Sequence, residues 1–330
     1  MNILVTGGTG YIGSHTCVAL LLAGYSIVIV DNLCNSKKDV VNKILQITGE
    51  KVVFYEYNIT DSFCVDEIFK NNKIDGVMHF ASLKSVGESI TKPLEYYYNN
   101  ILGTVILLEK CMQYGVERFV FSSSATVYGE NVVPFVETAD LLPTTNPYGE
   151  TKIICERIIT DVSKTCPSFA ASILRYFNPV GAHESGLIGE LPNGVPNNLM
   201  PYITQVAKGI QKKLKIFGND YPTNDGTGIR DYIHVMDLAE GHVAALDRLT
   251  PGIHIYNLGT GHGTSVMQLI KAFEKVNNVT IPYEIVQRRP GDIAVCYADA
   301  SKANKELGWT AKRGLLEMSR DAWLFEKNSL

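Results

Sequence analysis

Tyr148 and Lys152 stand four residues apart in NPYGETK (146–152). On a helix that spacing puts both side chains on one face. A lysine ammonium beside a phenol lowers the phenol's pKa, which makes it a usable acid and base near neutral pH. The same ammonium can bind ribose hydroxyls. Ser124 lies in FSSSATVYG (121–129) and can hydrogen-bond the same reacting oxygen. A Tyr-x-x-x-Lys pair alone is also a common solvated helix face, so its weight comes from a second motif. TGGTGYIGSH (6–15) places Gly7, Gly10 and Gly13 in G-x-x-G-x-x-G, directly after the apolar run NILVT and at the mouth of a helical pattern. Such glycines allow a tight turn and close approach of backbone to a pyrophosphate, which the helix N-terminus then meets with free N–H groups. Asp31 closes the next apolar run, SIVIVD (26–31), where a carboxylate would meet ribose 2′- and 3′-hydroxyls. It would repel a 2′-phosphate, and no Arg follows among Asn32, Leu33, Cys34, Asn35 and Ser36. NAD is favoured over NADP, with Lys37 and Lys38 a mild counter-signal.

The elements that must hold these groups follow from periodicity. NILVT (2–6), SIVIVD (26–31), KVVFYEYNI (51–59), DGVMHFA (75–81), RFVFSSS (118–124) and ASILRYF (171–177) read as strands. Helical patterns fall at 11–24, near 61–71, near 94–114 before Gly115, and from about 148 to 164. Regular alternation of helices with nearly continuous apolar strands implies a parallel sheet covered on both faces. The expected fold is α/β: a Rossmann-type doubly wound sheet over 1–178, and a smaller loop-rich lobe over 179–330 laid over the sheet edge. The second half is rich in Gly, Pro and Asn, as in GAHESGLIGELPNGVPNNLMPY (181–202). The segment near 234–260, a helix and a strand, is expected to return to the first lobe.

Composition narrows the class. The 330 residues are 45% hydrophobic and 19% charged, with 30 Lys+Arg against 34 Asp+Glu and a net charge of −4. That is ordinary for a globular protein and lacks the basic clusters of a nucleic-acid or membrane-surface binder. The seven cysteines (Cys17, Cys34, Cys64, Cys111, Cys155, Cys166 and Cys296) show no C-x-x-C spacing, and no Cys/His set has zinc-ligand spacing. No metal site is expected. An odd, scattered count points to reduced thiols in a cytoplasm. No signal peptide and no run long enough to span a bilayer is evident.

The motifs together resemble the extended short-chain dehydrogenase/reductase family and, within it, the UDP-glucose 4-epimerases. The stretches that carry the resemblance span essentially the whole chain: TGGTGYIGSHT, VDNLCNS, HFASLKSVGES, KPLEYYYNN, FSSSATVYG, PYGETK, LRYFNPVGAH, PNNLMPY, IFGNDYPTNDGTGIRDYIHVMDLA and YADASKA. The resemblance implies that Tyr148 is the catalytic acid/base, Lys152 its electrostatic partner and Ser124 an assisting hydrogen bond. It implies NAD along Gly7, Gly10, Tyr11, Ile12, Gly13, Asp31, Asn32, Asn35, Ser36, Asn58, Ile59, Phe80, Ala81, Lys84, Asn99, Ser122, Tyr148, Lys152 and Phe177. A UDP-sugar would meet Lys84, Ser124, Tyr148, Asn178, Asn198, Leu199, Phe217, Arg230, Arg289, Asp292 and Cys296. Arg230 and Arg289 suit a diphosphate chemically, although a surface ion pair is the plain alternative. The Asn residues of FNP and PNN, read alone, are turn residues. The implied reaction is a 4-epimerisation through a transient 4-keto sugar with no net redox change.

Three positions depart from the family pattern. Asn58 stands where an Asp is usual beside adenine, and its amide carbonyl can still accept a hydrogen bond. Ser82 replaces a Gly. Cys296 is small where relatives restricted to glucose carry a Tyr, which implies space for a 2-acetamido group and turnover of UDP-GlcNAc/UDP-GalNAc as well as UDP-Glc/UDP-Gal; overpacking by Tyr would close that space. Its plain alternative is a small buried core thiol. Competing readings are an epimerase restricted to UDP-Glc/UDP-Gal, a nucleotide-sugar 4,6-dehydratase and a non-catalytic NAD-sensing Rossmann protein. The dehydratase lacks its expected Asp-Glu pair, since Ala125 and Thr126 follow Ser124. A sensor can lose the Tyr-Lys pair, which is intact here. Apolar faces on 94–114 and 148–164 (Ile101, Val105, Leu108, Met112; Ile153, Ile154) suggest a homodimer joined through these helices.

Overall fold

Aliphatic runs with no polar alternation need cover on both faces, and the chain supplies it by crossing over with helices. In the computed structural model, which describes residues 1–192, 194, 196–289 and 292–329, the first part runs β1 (Asn2–Thr6), α1 (Tyr11–Leu22), β2 (Ser26–Val30), α2 (Asp39–Thr48), β3 (Val53–Tyr55), α3 (Ser62–Asn71), β4 (Gly76–His79), α4 (Val86–Thr91), α5 (Pro93–Tyr97), α6 (Gly103–Tyr114), β5 (Arg118–Ser124), α7 (Pro147–Thr165) and β6 (Ala170–Tyr176). There follow β7 (Asn178–Val180), α8 (Leu199–Ala207), β8 (Leu214–Phe217), β9 (Ile229–Arg230), β10 (Tyr232–His234), α9 (Val235–Asp247), β11 (Gly252–Leu258), β12 (Thr264–Ser265), α10 (Val266–Asn277), β13 (Tyr283–Val286), β14 (Val295–Cys296), α11 (Ser301–Leu307) and α12 (Leu315–Asn328).

Seven strands form one sheet in the order β11-β6-β5-β4-β1-β2-β3, and every pairing in it is parallel. The strand order reverses between β1 and β4. Loops leaving the C-terminal ends of those two strands diverge there, which opens the crevice where doubly wound sheets bind ligands. Successive residues face opposite sides. Ile3 and Val5 pack with Val18 and Leu21 of α1 and Leu238 and Leu246 of α9. Leu4 packs to the other side with Val65, Ile106, Leu107 and Ile159 from α3, α6 and α7. The chain after β6 builds a further core, in which Met200, Ile203, Leu269, Phe273, Met318 and Ala322 bring α8, α10 and α12 together.

Several elements differ from the sequence reading. The strand expected over 51–59 is only Val53–Tyr55, because polar Asn58 and the Thr60 turn follow the apolar run. The helix expected over 94–114 is broken by a π turn at Tyr98–Leu102. The second half carries more helix than its Gly/Pro/Asn content implied. Pro290 and Gly291, beside Arg289 and Asp292, lie outside the described residues. Among the described residues no helix is long and apolar enough to cross a membrane, and no His/Cys/Asp/Glu group could hold a metal ion.

Candidate active site

The glycine turn after β1 requires its glycines. Gly7 has φ +69°, and a Cβ there would lie 2.8 Å from the Ala81 backbone nitrogen. A Cβ on Gly13 would come within 2.2 Å of the Gly7 carbonyl oxygen. The turn is therefore seated directly against the backbone that follows β4, and α1 directly against the turn. Gly10 is the N-cap of α1 and offers no side-chain cap, and the first turn holds no acidic residue. Free N–H groups and a favourable dipole thus face the crevice, as a pyrophosphate requires. Asp31 accepts from Thr9 N at 3.1 Å, Leu33 N at 2.9 Å and Ser36 Oγ at 3.1 Å. An ionised carboxylate has about four acceptor sites, which leaves one for a ribose hydroxyl.

The other residues expected to hold a dinucleotide lie in α1, after β2, β3 and β4, and on the π turn. Asn32 and Asn35 are exposed in the turn after Asp31, with Asn32 Oδ1 accepting Cys34 N at 3.1 Å. Asn58 Oδ1 accepts Thr60 N at 3.1 Å, and the adjoining Ile59 is buried. Ile12 and Phe80 pack partly buried against the core, with Phe80 4.9 Å from the His242 ring. Tyr11 donates to Gly181 O at 2.8 Å. Asn99 sits on the π turn and donates to Asn100 Oδ1 at 3.0 Å. Asn100 in turn clamps Leu83, accepting from its N–H at 2.8 Å and donating to its carbonyl at 3.1 Å. The residues present fit a dinucleotide.

The acid–base pair is set by how α7 begins. Asn146 caps it, accepting Gly149 N at 2.9 Å, and Pro147 occupies the first turn, a start that both residue types favour. Tyr148 is thereby fixed beside the end of β5, and Lys152 follows one turn on. Lys152 is buried at 1% exposure. Its Nζ donates to Ser122 O at 2.7 Å and Ser82 Oγ at 3.0 Å, and lies 5.8 Å from the Tyr148 ring centroid. Burial brings the Lys152 pKa down to about 8, opposed by Cys155 and Glu156. Burial also raises the Tyr148 phenol, with Ser124 pulling it the other way. Desolvation thus dominates at the Tyr148 phenol, while the Lys152 ammonium points to two serine oxygens. Ser124 Oγ accepts from Thr126 N at 3.2 Å and Thr126 Oγ1 at 3.0 Å. Ser122 Oγ pairs with Tyr176 OH.

Across the crevice, β14 pairs with β9 so that Cys296 lies opposite Arg230. Cys296 is buried in a cluster with Ala125, Val127 and Phe177, which brings it beside the Ser124 end of β5. Burial pushes its thiol up to about 12, so it fills space and does not act as a thiolate. Arg230 Nη2 lies 3.8 Å from Asp292 Oδ1. The Arg289 guanidinium stacks 3.9 Å from the Phe217 ring centroid. Asn198 holds the N-cap position of α8, directly before Leu199, without a side-chain bond to the helix. Asn178 opens β7, its backbone N–H bonded to Asp231 O at 3.0 Å.

Sequence reasoning missed three carboxylates that tie these parts together. Glu190 Oε1 accepts from both Lys84 Nζ at 3.0 Å and Asn198 Nδ2 at 2.6 Å. Glu156 is buried one turn beyond Lys152 and pairs with Arg175 through Nε at 3.0 Å and Nη2 at 2.6 Å. Asp231 accepts from Thr260 N at 2.8 Å, Gly261 N at 3.1 Å and Ala298 N at 3.2 Å, locking the strand end that carries Cys296. For Glu156, its place four residues after Lys152 on one helix face was the available signal.

A glycine turn on β1 of a parallel sheet, with Ser, Tyr and Lys gathered at the neighbouring strand ends, defines an extended short-chain dehydrogenase/reductase. Residues 4–322 match the family described as GDP-mannose 4,6 dehydratase. UDP-glucose 4-epimerase of Haemophilus influenzae is 58% identical over 332 aligned positions, covering 100% of this chain and 98% of the relative. Among solved structures, UDP-glucose 4-epimerase from Bifidobacterium longum in complex with NAD+ and UDP superposes with a TM-score of 0.97 at 50% identity, covering 99% of each chain. The enzyme from Stenotrophomonas maltophila, with bound NAD and formylated UDP-arabinopyranose, gives 0.96 at 51% identity over 99% and 98%. The chain belongs to the GDP-mannose 4,6 dehydratase family and, within it, to the UDP-glucose 4-epimerases.

Proposed function

We propose that the protein inverts C4 of UDP-glucose and UDP-galactose on tightly held NAD, and that it also turns over UDP-GlcNAc and UDP-GalNAc. The observation that carries the reading is a set of contacts gathered at the ends of the sheet strands. Gly7 abuts Ala81, Ser82 meets Lys152, and Cys296 packs with Ala125 next to Ser124.

The α1 N-terminus with Gly7, Gly10 and Gly13 would receive the dinucleotide phosphates, Asp31 a ribose, and Asn58 and Ile59 the adenine. NAD, when bound, would supply a hydride acceptor for the sugar C4 and a hydride donor to the opposite face of the resulting 4-keto sugar. Tyr148 takes the 4-hydroxyl proton and later gives it back. Ser124 holds the same oxygen. Lys152 keeps a positive charge behind the phenol, which favours the phenolate that must form. Arg230 and Arg289 grip the diphosphate, while a sugar held loosely between Ser124 and Cys296 is free to turn. A nucleotide-sugar dehydratase would need carboxylates where Ala125 and Thr126 stand.

Protein purified without added cofactor should release NAD on denaturation, and Gly13→Ala should release none, because the added methyl meets the Gly7 carbonyl. Cofactor-free wild-type protein would overturn the tight-binding reading. For the acetylated pair, the small Cys296 leaves room that a phenol ring would fill. Cys296→Tyr should abolish UDP-GlcNAc turnover and keep that of UDP-glucose; acetylated turnover that survives the change removes the gate. The apolar groove between α6 and α7, lined by Val105, Leu108, Met112, Ile158 and Val162, suits a second copy of the chain. Ile153 does not contribute to that face, because it is buried with Tyr128 and Phe177.

A further inference from the structure

The buried ammonium of Lys152 has three N–H donors and needs oxygen partners to stay charged. The carboxylate one helical turn further on, Glu156, is engaged by Arg175 and Ser123. Among the described residues the ammonium's hydrogen-bond partners are two neutral oxygens, the Ser122 carbonyl at 2.7 Å and the Ser82 hydroxyl at 3.0 Å. The Ser122 carbonyl is a fixed part of β5. Ser82 lies in the loop after β4, and that loop is held on both sides: Ala81 N donates to Thr6 Oγ1 at 3.2 Å, and Leu83 is clamped through both backbone groups by Asn100. A hydroxyl on so constrained a backbone is pre-organised to accept from a cation.

We propose that Ser82 is a positioning residue for Lys152, its hydroxyl fixing where the ammonium lies and keeping it charged beside Tyr148. The proposal rests on the reading of Lys152 as the electrostatic partner of Tyr148. The other titratable groups facing the ammonium are Tyr148, Cys155 and Glu156 of α7 and His79 of β4. The Phe121 ring of β5 adds a face 4.9 Å away. None of these replaces the lost acceptor when Ser82 is changed.

The test uses full-length protein carrying 13C-labelled lysine, with the Lys152 signal assigned by its loss in Lys152→Met. In the parent the signal should titrate near the buried group's value of about 8. Ser82→Ala should move that midpoint down by about one pH unit, the effect of losing one charge-assisted hydrogen bond. The alkaline fall in kcat should move with it, while KM for UDP-glucose stays within about twofold. Ser82→Thr, which keeps the hydroxyl, should retain the parent midpoint. An unchanged midpoint in Ser82→Ala overturns the proposal. Full turnover by Lys152→Met overturns instead the reading on which it rests, and the NMR midpoint separates the two.

Discussion

At the scale of residues, Tyr148 and Lys152 are both buried. Removing the phenol oxygen in Tyr148→Phe should cut kcat by about 10²–10⁴, the usual worth of a positioned acid/base, with UDP binding by calorimetry unchanged. Lys152 is the group that titrates near the working range, its pKa lowered from 10.5 to about 8 by burial. Below that value the ammonium is present; above it the charge is lost, so kcat should fall as pH rises through about 8. Stability has the opposite sign. Between about 8 and 10.5 the unfolded chain binds the proton that the folded chain has released, so this group's contribution to stability rises with pH. The Tyr-x-x-x-Lys spacing was legible because one helix turn fixes it. Ser82 and Glu190 were not, because their contacts join positions 70 and 106 residues apart in sequence, which only the folded sheet brings together.

At the scale of elements, the parallel strands were readable because their burial on both faces leaves unbroken aliphatic runs. The π turn at Tyr98–Leu102 left no such trace, since an extra residue in a helix keeps the helical periodicity on either side. Its consequence is Asn100, buried at 1% exposure and bonded to both backbone groups of Leu83 and to Thr151. Asn100→Ala should lower unfolding stability in urea by about 2 kcal/mol, since the part-buried Leu83 groups and buried Thr151 lose their partners. A loss well under 1 kcal/mol would mean that the clamp is not what holds the loop after β4. α10 was legible in principle but was missed: Ser265 and Gln268 form a reciprocal capping box at its start, an S-x-x-Q signature ahead of an apolar run. Gly- and Asn-rich flanks obscured it.

At the scale of the whole molecule, the histidines of the core set acid stability. Burial lowers His15 and His79 to about 3 and His242 to about 4. Above pH 6.5 these rings are neutral both folded and unfolded, so stability is at its full value. As pH falls below 6.5 only the unfolded chain gains protons, and at pH 5 each ring costs about 2 kcal/mol. The melting temperature should therefore drop steeply between pH 7 and pH 5, and a flat profile would contradict the buried, neutral assignment. If a second copy covers the α6–α7 groove, Met112→Lys should convert a dimer to a monomer by light scattering. Inversion at C4 is tested by proton NMR of the purified protein with UDP-galactose and no added cofactor. UDP-galactose should convert to an equilibrium mixture with UDP-glucose, and the conversion should be lost in Tyr148→Phe. Unchanged UDP-galactose, or accumulation of a 4-keto-6-deoxy sugar, would contradict inversion at C4.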